Sequence, residues 1–244
     1  MAFYGAGTTA ALGVLGRSGP EQAAARLERQ AEAYAGYGRP VMPCFELVTT
    51  IAAAAPGPDR LYSTRTPATV VQRYLDVARR HRMILLLDFQ PGRDSFLHQV
   101  KAYDAFLAQP DVSIALDPEW KMTAHQVPGM VIGHSEASAI NAVVDHVAAI
   151  VARHRLPQKL VVIHQFTRSM IGSRAAVKTA RGLAVTFHID GFGGRQVKQD
   201  KYRALTSRLH GFTGFKLFYR QDTDLMSPRQ AMALRPRPDM VSYQ

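Results

Sequence analysis

The sequence has a single cysteine and lacks the short motifs of several common enzyme classes. Cys44 has no partner within the chain for a disulfide bond, and its place in the apolar run 41–48 predicts a buried thiol rather than a nucleophile. G-x-S-x-G and H-E-x-x-H are both absent, which argues against a nucleophile-elbow serine hydrolase and a zincin-type metalloprotease. No apolar run reaches the roughly 18 residues of a membrane helix, so no transmembrane segment is predicted.

Acidic residues are also scarce, with 19 Asp and Glu against 30 Lys and Arg, which gives a formal net charge of +11. The basic residues are spread along the chain rather than gathered in one arm, which predicts a solvated basic surface. An anionic polymer is the alternative partner, because a positive field attracts polyanions. Zinc-finger spacing and RNP-type aromatic motifs are missing, so nucleic acid is not expected as a partner.

The 244 residues are 47% apolar, and apolar runs alternate with amphipathic stretches along the whole length. Strands are predicted at 2–4, 40–48, 83–89, 112–120, 160–166, 183–190, 215–219 and 240–243. Helices are predicted at 21–37, 67–81, 135–155 with Ser135 as N-cap, 170–180, 196–210 and, as a short one, after Pro228. Eight such units in about 250 residues predict one α/β domain over 1–244, a single (β/α)8 TIM-type barrel. A doubly wound sheet is the alternative, but its glycine-rich phosphate motif is missing.

Polar side chains stand at the carboxyl ends of nearly all predicted strands. In a (β/α)8 barrel these ends form the active-site mouth, so we expect the side chains to meet there. The expected catalytic residues are Glu119, Asp117, Asp88 and Asp190. The expected substrate-binding residues are Tyr4, Glu46, Gln90, Trp120, His164, Gln165, His188, Lys216 and Tyr219. The glycine-rich segment Gly-Phe-Gly-Gly that follows Asp190, at 191–194, predicts a flexible lid.

The segment Leu-Asp-Pro-Glu-Trp at 116–120 carries the strongest chemical signal. Residues two apart on a strand share a face, so Asp117 and Glu119 are expected to project together into the mouth, with Trp120 at its rim. Neighbouring carboxyl groups push their pKa values apart, which leaves one as an acid and the other charged. Glycosidases use such a pair. We expect a glycoside hydrolase-like enzyme with Glu119 as general acid/base.

Two other kinds of chemistry remain open from the residues alone. His164, His188 and the strand-end carboxylates could supply a metal-dependent hydrolase, and Lys216 could form a Schiff base in a lyase. A non-catalytic barrel that binds envelope polysaccharide is a further alternative. The early strands lack an H-x-H pair, so the sequence assigns no metal and no cofactor. A monomer is favoured.

Several blocks of the sequence together resemble one family. They are FELVTTIA, LLLDFQPGR, ALDPEWKM, VPGMVIG, LPQKLVVIHQF, DGFGG, GFKLFY, DLMSP and LRPRPDMVSYQ. In this order they resemble a group of actinobacterial secreted proteins and putative lipoproteins, over nearly the whole chain. The resemblance implies an extracytoplasmic setting, and with that setting we expect the substrate to be a polysaccharide of the envelope or the extracellular space. Because no export signal precedes the first strand, a cytoplasmic setting is the alternative. More loosely, Asp117 and Glu119 are similar to the D-x-E of chitinase-like glycoside hydrolases, where the Glu is the proton donor.

Overall fold

Eight parallel strands form a closed barrel in the computed structural model, which describes residues 1–207, 209 and 211–244. The strands are β1 (Ala2–Gly5), β2 (Cys44–Ala52), β3 (Ile84–Phe89), β4 (Val112–Leu116), β5 (Lys159–Gln165), β6 (Leu183–Ile189), β7 (Phe212–Leu217) and β8 (Met240–Tyr243). Each strand pairs with its neighbours in chain order, and β1 pairs in parallel with both β2 and β8, which closes the ring. The predicted (β/α)8 fold is therefore confirmed.

Helices connect the strands and cover the outside of the barrel. They are α1 (Pro20–Glu32), α2 (Ala68–Arg80), α3 (Phe96–Lys101), α4 (Asp104–Leu107), α5 (Ala137–His154), α6 (Arg195–Thr206) and α7 (Pro228–Met232). The predicted helices at 21–37, 67–81 and 135–155 correspond to α1, α2 and α5. Helix α5 has Glu136 rather than Ser135 as its N-cap. The predicted end of α6, His210, lies outside the described residues.

The helix predicted at 170–180 is wrong. Two single 3-10 turns, Arg168–Met170 and Arg174–Ala176, flank a two-residue strand there, Ile171–Gly172, which pairs with Ser135–Glu136. Ser173 has a φ of 50°, a left-handed conformation that ends any right-handed helix at this point. Helices α3 and α4, which connect β3 to β4, were not predicted.

Alternate side chains of the strands form two separate sets, as the period of a strand requires. One set packs outward under the helices, as Phe45, Leu87 and Ile114 do in the main core. The other set fills the barrel interior, where an apolar layer consists of Ala2, Cys44, Leu86, Ala115, Val162 and Met240. Nearer the carboxyl ends the interior becomes polar. Both faces are buried, which explains why the strands read as continuous apolar runs.

The amphipathic pattern of α2 shows how the helices attach. Its buried residues Val71, Leu75 and Ala78 recur at helical spacing on one face, while Arg79 and Arg80 lie on the solvent side near its end. Cations in the last turn also interact favourably with the helix dipole. Among the described helices, none is both long enough and apolar enough to cross a membrane.

Candidate active site

A cleft of about 320 Å³ opens at the carboxyl ends of the strands. It is lined by Tyr4, Leu12, Gln90, Asp117, Glu119, Trp120, Phe166, Asp190, Gly191, Phe192, Lys201, Lys216, Phe218 and Gln244. Seven of the predicted site residues are in this set: Tyr4, Gln90, Asp117, Glu119, Trp120, Asp190 and Lys216. The cleft lies where active sites form in this fold.

Asp117 and Glu119 both reach the cleft, but not as neighbours on a strand face. Strand β4 ends at Leu116, and Pro118–Trp120 form a 3-10 turn. Asp117 caps that turn, since its Oδ1 accepts a hydrogen bond from the Glu119 backbone N–H at 3.3 Å. The predicted strand over 112–120 is therefore too long. Pro118 provides the reason, because a residue without an N–H cannot continue a central strand but suits the first position of a helical turn.

Glu119 is partly buried in the cleft wall and combines a raised pKa with access from the cleft. Burial and the nearby charge of Asp190 raise the pKa of Glu119 to about 7. Burial also raises the pKa of Asp117 well above its ordinary value, although His164 opposes this. Glu119 can therefore be protonated near neutral pH, while its position in the cleft leaves it open to a ligand.

Asp190, in contrast to Glu119, is held in the ionised form, because three donors surround its carboxylate. Oδ2 accepts from Lys216 Nζ at 3.1 Å and lies 3.2 Å from Nδ1 of His164, while Oδ1 accepts from the Gly191 backbone N–H at 2.6 Å. Burial works against the charge, but Lys216 and His164 outweigh it and hold the pKa of Asp190 far below its usual range. Asp190 stays ionised at any ordinary pH.

Lys216 makes both an ion pair and a cation–π contact at the base of the cleft. Its Nζ lies 3.5 Å from the centroid of the Tyr4 ring in addition to its ion pair with Asp190. Burial lowers the pKa of Lys216, yet Asp190 and Glu46 outweigh burial and raise the pKa above its ordinary value. A protonated amine cannot attack a carbonyl, so the structure does not favour the Schiff-base alternative. Tyr4 in turn accepts a hydrogen bond from Gln90 Nε2 at 3.0 Å.

Three predicted site residues lie beneath the cleft rather than in its wall. Nε2 of His164 is 2.9 Å from Glu46 Oε1 and 3.3 Å from Asp88 Oδ2, and all three side chains are sealed from solvent. Burial disfavours the charged imidazole, but Glu46, Asp190 and Asp88 raise the pKa of His164 well above its usual range. Its Nδ1 contact with Asp190 connects this buried cluster to the cleft.

His188 also lies below the cleft, on the neighbouring strand β6. Its Nε2 is 2.7 Å from Ser242 Oγ, and its ring stands edge-on to His164 with centroids 5.2 Å apart. Burial lowers the pKa of His188 to about 3, so it is neutral. The ring lies directly against Gly214, where an added Cβ would come within 2.0 Å of His188 Nδ1. Only glycine leaves room for an imidazole here.

Two predicted substrate-binding residues face away from the cleft. Gln165 is buried on the outer face of β5, where it accepts from Arg174 and donates to the carbonyl of Thr167. Tyr219 lies two residues beyond the end of β7 and stacks on Tyr243 with ring centroids 4.9 Å apart. Strand alternation explains Gln165, because adjacent residues cannot both point into the barrel.

Seven residues of the cleft wall were not predicted as ligand contacts: Leu12, Phe166, Gly191, Phe192, Lys201, Phe218 and Gln244. Phe192 lies in the glycine-rich loop expected to act as a lid, is 63% exposed and stands edge-on to Phe218 at 5.8 Å. Lys201 comes from α6, and its Nζ packs so closely on Gly191 that a Cβ there would meet it at 2.2 Å. No pattern within α6 distinguishes Lys201 from its other basic residues.

The fold and the cleft together define a (β/α)8 barrel whose mouth holds carboxyl groups in contrasting protonation states. No protein-family model and no curated protein sequence matches the chain. Among solved structures, the chain is similar to a GH5-4 broad specificity endoglucanase from an uncultured bovine rumen ciliate. The identity is 10%, the TM-score is 0.43, and the match covers 88% of this chain and 76% of the endoglucanase chain. A similarity this low assigns no function, and the resemblance to actinobacterial proteins stays a prediction.

Proposed function

We propose that the protein is a glycoside hydrolase in which Glu119 is the general acid/base and Asp190 is the ionised carboxylate. One observation carries the proposal: a single cleft holds Glu119, a partly buried carboxyl group that can keep its proton near neutral pH, together with Asp190, a carboxylate fixed in the charged form by three donors. Glycoside hydrolysis needs this division of roles between two carboxyl groups.

The roles follow from the environment of each group. Glu119 donates its proton to the glycosidic oxygen as the bond between that oxygen and the anomeric carbon breaks. Asp190 then faces the positive charge that develops on the sugar ring and stabilises it. Water completes the reaction by adding to the anomeric carbon, and the proton it loses restores the acid. Asp117 acts by positioning, since its contact with the Glu119 backbone fixes the turn that carries Glu119.

The rim of the cleft supports a carbohydrate substrate. Trp120, Phe192 and Phe218 present aromatic rings there, and flat apolar faces of sugar rings pack on aromatic side chains. Phe192 is largely exposed and lies next to the glycines of its loop, so it can move onto a bound chain. The proposed substrate is a polysaccharide of the cell envelope or the extracellular space. That source and the extracytoplasmic setting rest on the family resemblance alone.

The test compares variants on two kinds of substrate. Purified protein is screened for release of reducing ends from a panel of envelope and plant polysaccharides, and for hydrolysis of 4-nitrophenyl glycosides. Glu119→Gln should lower kcat on the best polysaccharide by about 10²- to 10⁴-fold. The same variant should lose less on the nitrophenyl glycoside, because nitrophenolate departs without a proton. Asp190→Asn should lose activity on both substrates.

Glu32→Gln is the matched control, since Glu32 is an exposed glutamate at the end of α1. It should leave both activities unchanged. Full polysaccharide activity in Glu119→Gln would remove Glu119 from the mechanism. If the protein instead binds a polysaccharide tightly and hydrolyses none of the panel, the non-catalytic binding alternative replaces the proposal. Trapping by borohydride with a carbonyl substrate would favour the lyase.

A further inference from the structure

A compact group of metal-type ligands lies under the cleft, outside the proposed catalytic pair. Glu46, Asp88 and His164 each offer one ligand atom, and these atoms all lie within 4.8 Å of one another. The three residues come from β2, β3 and β5, so the barrel wall itself holds them in place. None of them is exposed to solvent.

Several polar atoms of this group have no hydrogen-bond partner among the described residues. They are Oε2 of Glu46 and both carboxylate oxygens of Asp88. A buried polar atom that lacks a partner costs about 1 to 3 kcal/mol, and a charged one costs more. Three such atoms on two neighbouring carboxyl groups form a set of acceptors that a cation between them would satisfy.

The distances within the group match a coordination shell. Ligand atoms about 2.1 Å from one metal ion lie about 3.0 to 3.4 Å from each other in octahedral or tetrahedral geometry. The observed distances are 2.9 Å from His164 Nε2 to Glu46 Oε1 and 3.3 Å from His164 Nε2 to Asp88 Oδ2. The ligand atoms of Glu46 and Asp88 lie within 4.8 Å of each other, so one ion placed between them could contact all three residues.

We propose that Glu46, Asp88 and Nε2 of His164 bind a divalent transition-metal ion of the Zn²⁺ or Mn²⁺ type. The imidazole ligand separates this site from those of Ca²⁺ and Mg²⁺, which are built from oxygen atoms. The second nitrogen of the imidazole also has a carboxylate partner, because His164 Nδ1 lies 3.2 Å from Asp190 Oδ2. A histidine that binds a metal through one nitrogen usually donates the other N–H to such a carboxylate, which fixes the ring.

The charge balance of the barrel interior supports a cation at this position. Glu46, Asp88 and Asp190 surround one imidazole, and Lys216 is the buried ammonium group that pairs with Asp190. A proton on His164 Nε2 would point to Glu46 Oε1 at 2.9 Å and reach Asp88 Oδ2 only at 3.3 Å, and it would leave Glu46 Oε2 and Asp88 Oδ1 without a partner. A divalent ion would satisfy both carboxylates at once.

The test measures metal content and affinity directly. Protein stripped with chelator and refolded with Zn²⁺ or Mn²⁺ is desalted and analysed for bound metal, and affinity is measured by calorimetry. We expect about one ion per chain, and a rise in Tm of about 5 to 10 °C at a hundredfold excess over Kd. Glu46→Gln and Asp88→Asn should weaken binding by at least about 100-fold. Asp190→Asn should weaken it by about 10- to 100-fold.

Asp117→Asn is the matched control, because Asp117 is a buried carboxyl group of the same mouth outside the ligand set. It should keep the wild-type affinity, as should Glu119→Gln. The isosteric ligand variants should fold, because removing one buried carboxylate lowers the repulsion in the metal-free protein. Binding that Asp88→Asn leaves unchanged, or binding of Ca²⁺ or Mg²⁺ alone, would overturn the proposal. Metal binding that survives in an inactive Glu119→Gln separates this site from the hydrolase proposal.

Discussion

The pKa of Glu119 has a consequence for stability that needs no knowledge of the substrate. Glu119 has a pKa of about 7 in the folded protein against an ordinary value of 4.5, so between these values the folded state holds the proton more tightly than the unfolded state. Folding stability therefore falls as pH rises from about 4.5 through 7 and stays low above that pH. At about 1.4 kcal/mol per tenfold change in proton affinity, and with the carboxyl group partly open to water, the cost is about 2 to 3 kcal/mol.

Glu119→Gln removes the ionisation and should recover this free energy. Urea unfolding at pH 8.5 should show the variant more stable than wild type by about 2 to 3 kcal/mol, and the two proteins should be equally stable at pH 4. Glu32→Gln, in which an exposed glutamate is replaced, should match wild type at both pH values. Equal stabilities of Glu119→Gln and wild type at pH 8.5 would refute the view that Glu119 is held protonated by its surroundings.

Three shorter predictions follow from other contacts. If Glu119 is the general acid, kcat should fall about tenfold for each pH unit above about 7, which a pH–rate profile on a polysaccharide measures. Gly214→Ala places a Cβ against His188 and should destabilise the protein by about 1 to 3 kcal/mol in denaturant unfolding. Asp222→Ala leaves Lys198 buried without its carboxylate partner at 2.9 Å and should cost about 3 to 5 kcal/mol by the same assay. An unchanged midpoint for either stability variant would show that the site relaxes around the change.

The strands were predictable because each is a continuous apolar run with a polar end. This pattern can be read from a short stretch of sequence without knowledge of the residues that pack against it. The failures came where a single local feature overrides such patterns. Pro118 ends β4 early, and the left-handed Ser173 prevents a helix at 170–180. Helix α3 is too short to show a helical period in the sequence, and its N-cap Ser95, which accepts from the His98 N–H, was not predicted.

The site was predictable to the extent that strand ends converge in a barrel. That rule placed Glu119, Asp190 and Lys216 in one cleft, but it did not separate the cleft wall from the layer beneath it. The depth of Asp88 and His164 depends on how far each strand extends, which a sequence pattern leaves open by one or two residues. Lys201 reaches the cleft from a helix, and only the packing of α6 on the barrel brings it there.

The polar layer of the barrel interior, which contains Asp190, Lys216 and His164, also restricts how this sequence can change over evolutionary time. Asp190 contacts both Lys216 and His164, so the loss of one charge leaves the others uncompensated where they are largely buried. Substitutions among these residues should be strongly epistatic, with a neutral pair tolerated where either single change is not. New specificities in such a barrel are then reached through the loops at the rim, such as the one that carries Phe192, while the charged layer changes only by coordinated steps.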